Sequence, residues 1–170
     1  MGNNKTAGYS LIELIVVVAI VGTMLGIAGF SFHEFQKRYA AESQVRIMHI
    51  DMLRARHRAF QLDKSYFVTV SADSYQITED TNDSGGTKPD GGDTPIWPEP
   101  KRFRYRSLWG GTVILTGRGT ISKSGGGILS TNPLPIIFDT AGTEPEYDCI
   151  AVAPTRINVG KWNDIKCVPR

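Results

Sequence analysis

From Leu14 to Phe32 the chain runs for 19 residues without a charged side chain (LIVVVAIVGTMLGIAGFSF). As an α-helix this run is about 28 Å long, close to the roughly 30 Å hydrocarbon core of a bilayer. It exceeds a secretory h-region, and no A-x-A-like site follows it. A domain built from 170 residues has little room to bury a helix that is apolar on every side. The reading is therefore a retained membrane helix over residues 9–32.

Glu13 interrupts the apolar pattern just before that run, between Leu11-Ile12 and Leu14-Ile15. A carboxylate inside a spanning helix costs about 2.5–3.5 kcal/mol even on insertion scales, so such residues are usually paired and functional, the alternative near a segment end being a side chain that snorkels to the headgroups. A short polar leader, residues 1–8 (MGNNKTAG), precedes it and carries Lys5. Hydrolysis after Gly8 creates a free amine on Tyr9, cationic near neutral pH. The i, i+4 spacing of Tyr9 and Glu13 predicts that amine and carboxylate share one helix face. The partner amine can come from the same chain or from a neighbour. Lys5 on one side is balanced by Lys37 and Arg38 on the other, so flanking charge does not set the orientation.

Over residues 33–64 the pattern becomes amphipathic. Val45, Met48, Met52, Ala55, Ala59 and Leu62 recur at helical spacing and predict one stripe facing a sheet, with Glu42, Arg46, Asp51, Arg54 and Arg58 mostly on the other faces. No proline interrupts Tyr9 to Lys64, which predicts a single continuous helix. Gly22-x-x-x-Gly26 is a small-xxx-small spacing that permits close helix approach in lipid.

After Lys64 the period switches to two. Residues 66–70 and 74–78 predict a hairpin, and short strands are expected at 102–108, 112–116, 135–138, 149–153, 156–159 and 165–168. The segment 79–100 holds six acids, four prolines and four glycines, and reads as a solvated acidic loop. Its aspartates do not follow the EF-hand spacing. The fold class is α+β: a long N-terminal helix packed on an antiparallel β-sheet, with residues 65–170 as the globular domain.

The chain offers little for chemistry. His33, His49 and His57 all lie before residue 65, so the domain contains no Ser-His-Asp or Cys-His system. Gly117-x-Gly119 and Gly125-Gly-Gly127 lack the spacing of phosphate-binding loops. Neither an enzyme, nor a cofactor, nor a metal site is expected. The segment Lys101-Arg102-Phe103-Arg104-Tyr105-Arg106 is the remaining surface of interest. On a strand, Arg102, Arg104 and Arg106 share one face and can meet phosphates, while the bland alternative is aromatics inward and arginines in water.

The sequence Gly8-Tyr9-Ser10-Leu11-Ile12-Glu13-Leu14 resembles the type IV prepilin signature. The resemblance implies cleavage between Gly8 and Tyr9 by a prepilin peptidase, N-methylation of Tyr9, and a packing role for Glu13 in assembly. It also implies an inner-membrane anchor, a periplasmic C-terminal domain, and other pilins or pseudopilins as partners in a helical filament. Many major pilins carry a proline where this chain has Phe30, which points to a minor or pseudopilin subunit. The stretch Phe138-x-x-x-Gly142, Cys149–Ala153, Arg156–Val159 and Trp162 to Cys167 resembles the H-type pseudopilins of type II secretion and the T- or U-type fimbrial minor pilins. In the periplasm this resemblance implies, a Cys149–Cys167 disulfide is expected, with two free thiols or a metal site as alternatives. Some T-type minor pilins bind DNA through a basic Gly-Arg-x-Arg turn. Thr155-Arg156-Ile157-Asn158 resembles that turn, with Arg156 retained and Asn158 in the second arginine's place.

Overall fold

The computed structural model describes residues 9–83, 85–125, 127–129 and 133–170, without the side chains of residues 27–31, 127 and 128. The chain divides into two units, Met1–Lys37 and Arg38–Arg170. One helix, α1 (Leu11–Leu62), passes from the first into the second. It begins where Leu14 N–H donates to the Ser10 carbonyl at 3.2 Å, so Ser10 is the N-cap and Glu13 lies in the first turn. It ends in a left-handed cap. Asp63 adopts φ 51°, and Lys64 N–H reaches back to the Ala59 carbonyl at 3.2 Å, as in a Schellman motif. Gly117 packs against that cap, where a Cβ would run into the Asp63 backbone.

Eleven strands follow among the described residues. They are β1 (Tyr66–Val70), β2 (Ser74–Glu79), β3 (Thr94–Pro95), β4 (Lys101–Arg102), β5 (Gly111–Leu115), β6 (Ile121–Lys123), β7 (Gly127–Ile128), β8 (Leu134–Ile137), β9 (Cys149–Val152), β10 (Ile157–Trp162) and β11 (Cys167–Pro169). One antiparallel sheet has the order β3-β2-β1-β5-β6-β7, with β4 also paired to β2. A second sheet runs β11-β10-β9-β8. The two meet where Ser107 bridges Phe138 and where Ile121 N–H bonds the Pro154 carbonyl at 2.8 Å.

The helical stripe forms the core's lid. Ala41, Val45, Met48, Met52, Ala55 and Ala59 are buried, whereas Leu62 is 55% exposed, so the stripe stops one turn earlier than its spacing predicts. Alternate residues of the central strand, Tyr66, Val68 and Val70, join it with Ile77, Val113, Leu115, Ile136, Ile150 and Val152 in one cluster. Burying each of these side chains stabilises the domain by roughly 1.5–3 kcal/mol before entropy is counted. β-branched and aromatic residues are frequent in β1, β2 and β5, as strands that pack on a core require.

Two expectations fail. The strand foreseen over 102–108 is reduced to β4, because the N–H groups of Arg104 and Tyr105 donate to the Gln44 side-chain carbonyl (2.8 and 2.9 Å) instead of a neighbouring strand. Gln44 Nε2 in turn donates to the Tyr105 carbonyl at 2.8 Å. The segment 79–100 is not simply solvated. Asp80 is buried, β3 pairs with β2, and Ile96 and Trp97 pack against the core. Its apolar pair anchors a loop whose average polarity concealed it.

Candidate functional site

From Leu11 onward the N-terminal segment is helical. From Leu11 to Leu25, every large apolar side chain is 48–77% exposed. Gly22 and Gly26 open onto empty space, so a Cβ there would touch nothing. Thr23 returns its hydroxyl to the Ile20 carbonyl at 2.8 Å. Among the described residues no helix is long and apolar enough to cross a membrane. The uncharged run itself continues through residues 27–31, whose side chains are not described.

Gly8 and Lys5, with the rest of the leader over residues 1–8, lie outside the described residues. Tyr9 is 87% exposed and precedes the helix rather than standing on it. The predicted shared helix face for Tyr9 and Glu13 is thereby corrected: Glu13 sits at the third helical position, and Tyr9 is the residue before the N-cap. A carboxylate in the first turn interacts favourably with the unpaired N–H groups there. Ser10-x-x-Glu13 is also the spacing of a capping box. That capping signal is legible in the sequence itself.

The arginines take different settings. Arg102, Arg104 and Arg106 are exposed while Phe103 and Tyr105 are half-buried, so the alternation of exposure survives without the strand. Phe103 stacks on Tyr75 (5.3 Å between centroids) and meets Phe138 edge-on at 5.2 Å. Arg156 lies apart in sequence, on the turn between β9 and β10 in the second sheet. Cys149 and Cys167 form the expected disulfide. Beside it, Asp148 accepts from Lys161 at 2.7 Å and from the Trp162 N–H at 2.6 Å.

A buried acid went unforeseen. Asp51, 6% exposed, accepts from the Tyr75 hydroxyl at 2.6 Å and from Lys101, with Arg54 at 3.9 Å. Burial, and then the hydrogen bond to Asp51, push the Tyr75 phenol far above its usual range. Nothing local in the sequence marks Asp51, because its cation arrives from 50 residues away.

A second polar pair joins β1 and β2, where Tyr66 stands opposite Glu79. The Tyr66 hydroxyl donates to Glu79 at 2.8 Å and Lys64 donates at 3.2 Å. The Tyr66 bond, with help from Lys64 and against burial, holds the Glu79 carboxyl below its ordinary range. Burial and Glu79 together push Tyr66 up to about 12. A depressed carboxyl contributes stability above its unfolded pKa and loses it as pH falls through the folded one. A raised phenol contributes below its unfolded pKa of about 10 and loses that as pH rises towards 12. Chemical denaturation should therefore show declining stability below about pH 4.5 and above about pH 10. Glu79→Gln should flatten the acid limb, and an unchanged acid limb in that variant would contradict the assignment.

Residues 3–29 match the family model for the prokaryotic N-terminal methylation motif. The chain thus carries a type IV pilin-like prepilin signal. That signal supports a pilin-type protein, processed by a prepilin peptidase and assembled with other pilins. The match speaks for the N-terminal segment alone. Comparison with curated proteins and with solved structures gave no match.

Proposed function

We propose that this chain is a non-catalytic filament subunit, a minor pilin or pseudopilin of a type IV pilus or type II secretion pseudopilus. Leu14–Phe32 holds it in the inner membrane with the domain in the periplasm, cleavage after Gly8 frees the Tyr9 amine, and methylation follows. The observation that carries this reading is the methylation motif at residues 3–29, of which the stretch Leu11 to Leu25 is helical with every large apolar side chain exposed. Such a surface is stable only against lipid or against other apolar helices. Moving from one to the other is the assembly step. Glu13 then has a role in it, because an incoming Tyr9 amine offsets the cost of a carboxylate in an apolar bundle. The H-type and T- or U-type resemblances of residues 138–167 support a minor or pseudopilin subunit.

The experiment is incorporation. In cells with an active prepilin peptidase and filament machinery, Glu13→Ala should be processed like the parent. Its recovery in sheared filaments should fall roughly tenfold, the effect of about 1.4 kcal/mol and thus within the cost of one unpaired membrane charge. Wild-type recovery of that variant would remove the pairing step. DNA capture by Arg102, Arg104, Arg106 and Arg156 is the rival reading. We do not adopt it, since the first three share no strand face and Arg156 belongs to another sheet.

A further inference from the structure

Residues 51–61 of α1, the Ile96–Trp97 stretch and Lys101 of β4 enclose a half-open cleft of about 480 Å³. Arg54, Arg58 and Lys101 line it together with His57, against the single carboxylate of Asp51. That carboxylate is already engaged by Tyr75 and Lys101. Arg54 stands 3.9 Å from it with its side chain 76% exposed, so most of its donor fork faces water. Arg58 acts at longer range on Glu79, which Tyr66 and Lys64 already occupy. The cleft is left with a surplus of positive charge and unspent N–H donors.

Arg54 and Arg58 are one turn apart and neighbours on the helix surface. Trp97 lies opposite with the Lys101 ammonium 4.2 Å above its ring. Guanidinium groups grip carboxylates and phosphates in paired, charge-assisted bonds, and an aromatic wall favours a flat or apolar body beside the charge. The volume falls within the range of sites for small ligands or single side chains.

We propose that this cleft binds an oxyanion, the carboxylate or phosphate group of a ligand whose body lies beside Trp97. An acidic side chain of another polypeptide and a free polycarboxylate or phosphate present the same chemistry. The inference does not depend on whether the chain polymerises. The test is calorimetric titration of the full chain in neutral maltoside micelles with citrate, inorganic phosphate and a hexaglutamate peptide, each against sodium chloride of equal ionic strength. Saturable binding of at least one probe is expected. Its affinity should weaken at least tenfold in Arg54→Gln/Arg58→Gln and stay unchanged in Arg118→Ala, which lies outside the cleft. Tighter binding of the peptide assigns the site to a polypeptide partner, and tighter binding of citrate or phosphate assigns it to a small ligand. No binding above chloride overturns the proposal. So does undiminished binding in the double variant, or in an Arg58→Gln single variant should the double variant melt earlier than its parent.

Discussion

Gly160→Val should leave Cys149 and Cys167 as titratable thiols and lower the melting temperature of the domain by about 10 °C. The reason is the path of the disulfide. Cys149 lies on β9 and Cys167 on β11, and both strands pair with β10 rather than with each other. In a flat sheet, second-neighbour strands stand about 9.6 Å apart, yet these two Cα atoms are 6.0 Å apart. The sheet must curl sharply at β10 and the bridge must cross over it. Gly160 sits directly opposite Cys149, at the point of crossing. A Cβ there would collide with the Val168 backbone and press on the Cys167 sulfur. Losing a native disulfide costs about 2–5 kcal/mol, which for a domain of this size is on the order of 10 °C. Thiol titration with thermal melting checks it. A fully oxidised Gly160→Val protein with a parental melting temperature would refute the crossing argument.

Asp51→Ala should cost about 2–4 kcal/mol in urea denaturation, though it removes neither an apolar contact nor a cap. The change strands the Tyr75 hydroxyl, whose residue is 3% exposed, without its acceptor. It also takes the counter-charge from Lys101. Lys101 is 40% exposed and can turn to water, so the loss stays below that of a fully buried pair. Asp51→Leu combined with Tyr75→Phe removes both partners and should recover most of the deficit. A single-variant effect within about 0.5 kcal/mol, the range of an ordinary surface substitution, would show that Asp51 is not a structural hub.

What the sequence makes legible follows from range. The helix, its buried stripe and the β1–β2 hairpin are written in residues a few positions apart, and Val45, Met48, Met52, Ala55 and Ala59 land in the core as their spacing requires. The N-terminal signal is equally local, because Ser10, Glu13 and the apolar run need only helical geometry to be read. What escapes are features joined over long separations. Gln44 diverts the 103–106 backbone from 61 residues away, and no property of that basic-aromatic segment announces it. Asp51 reads as one more charge on a polar helix until Lys101 and Tyr75 reach it. The Ile96–Trp97 anchor is lost in the average polarity of its loop. β6 and β7 are hidden among the glycines of 117–127, where strand propensity is weak and pairing carries the structure, β6 on β5 and β7 on β6.

The central claim is that the chain matures at Gly8–Tyr9, and intact-mass analysis of the protein purified from cells with an active prepilin peptidase tests it most directly. The account predicts a polypeptide that begins at Tyr9 and carries one added methyl group on its terminal amine. A chain that retains residues 1–8 under those conditions would contradict it.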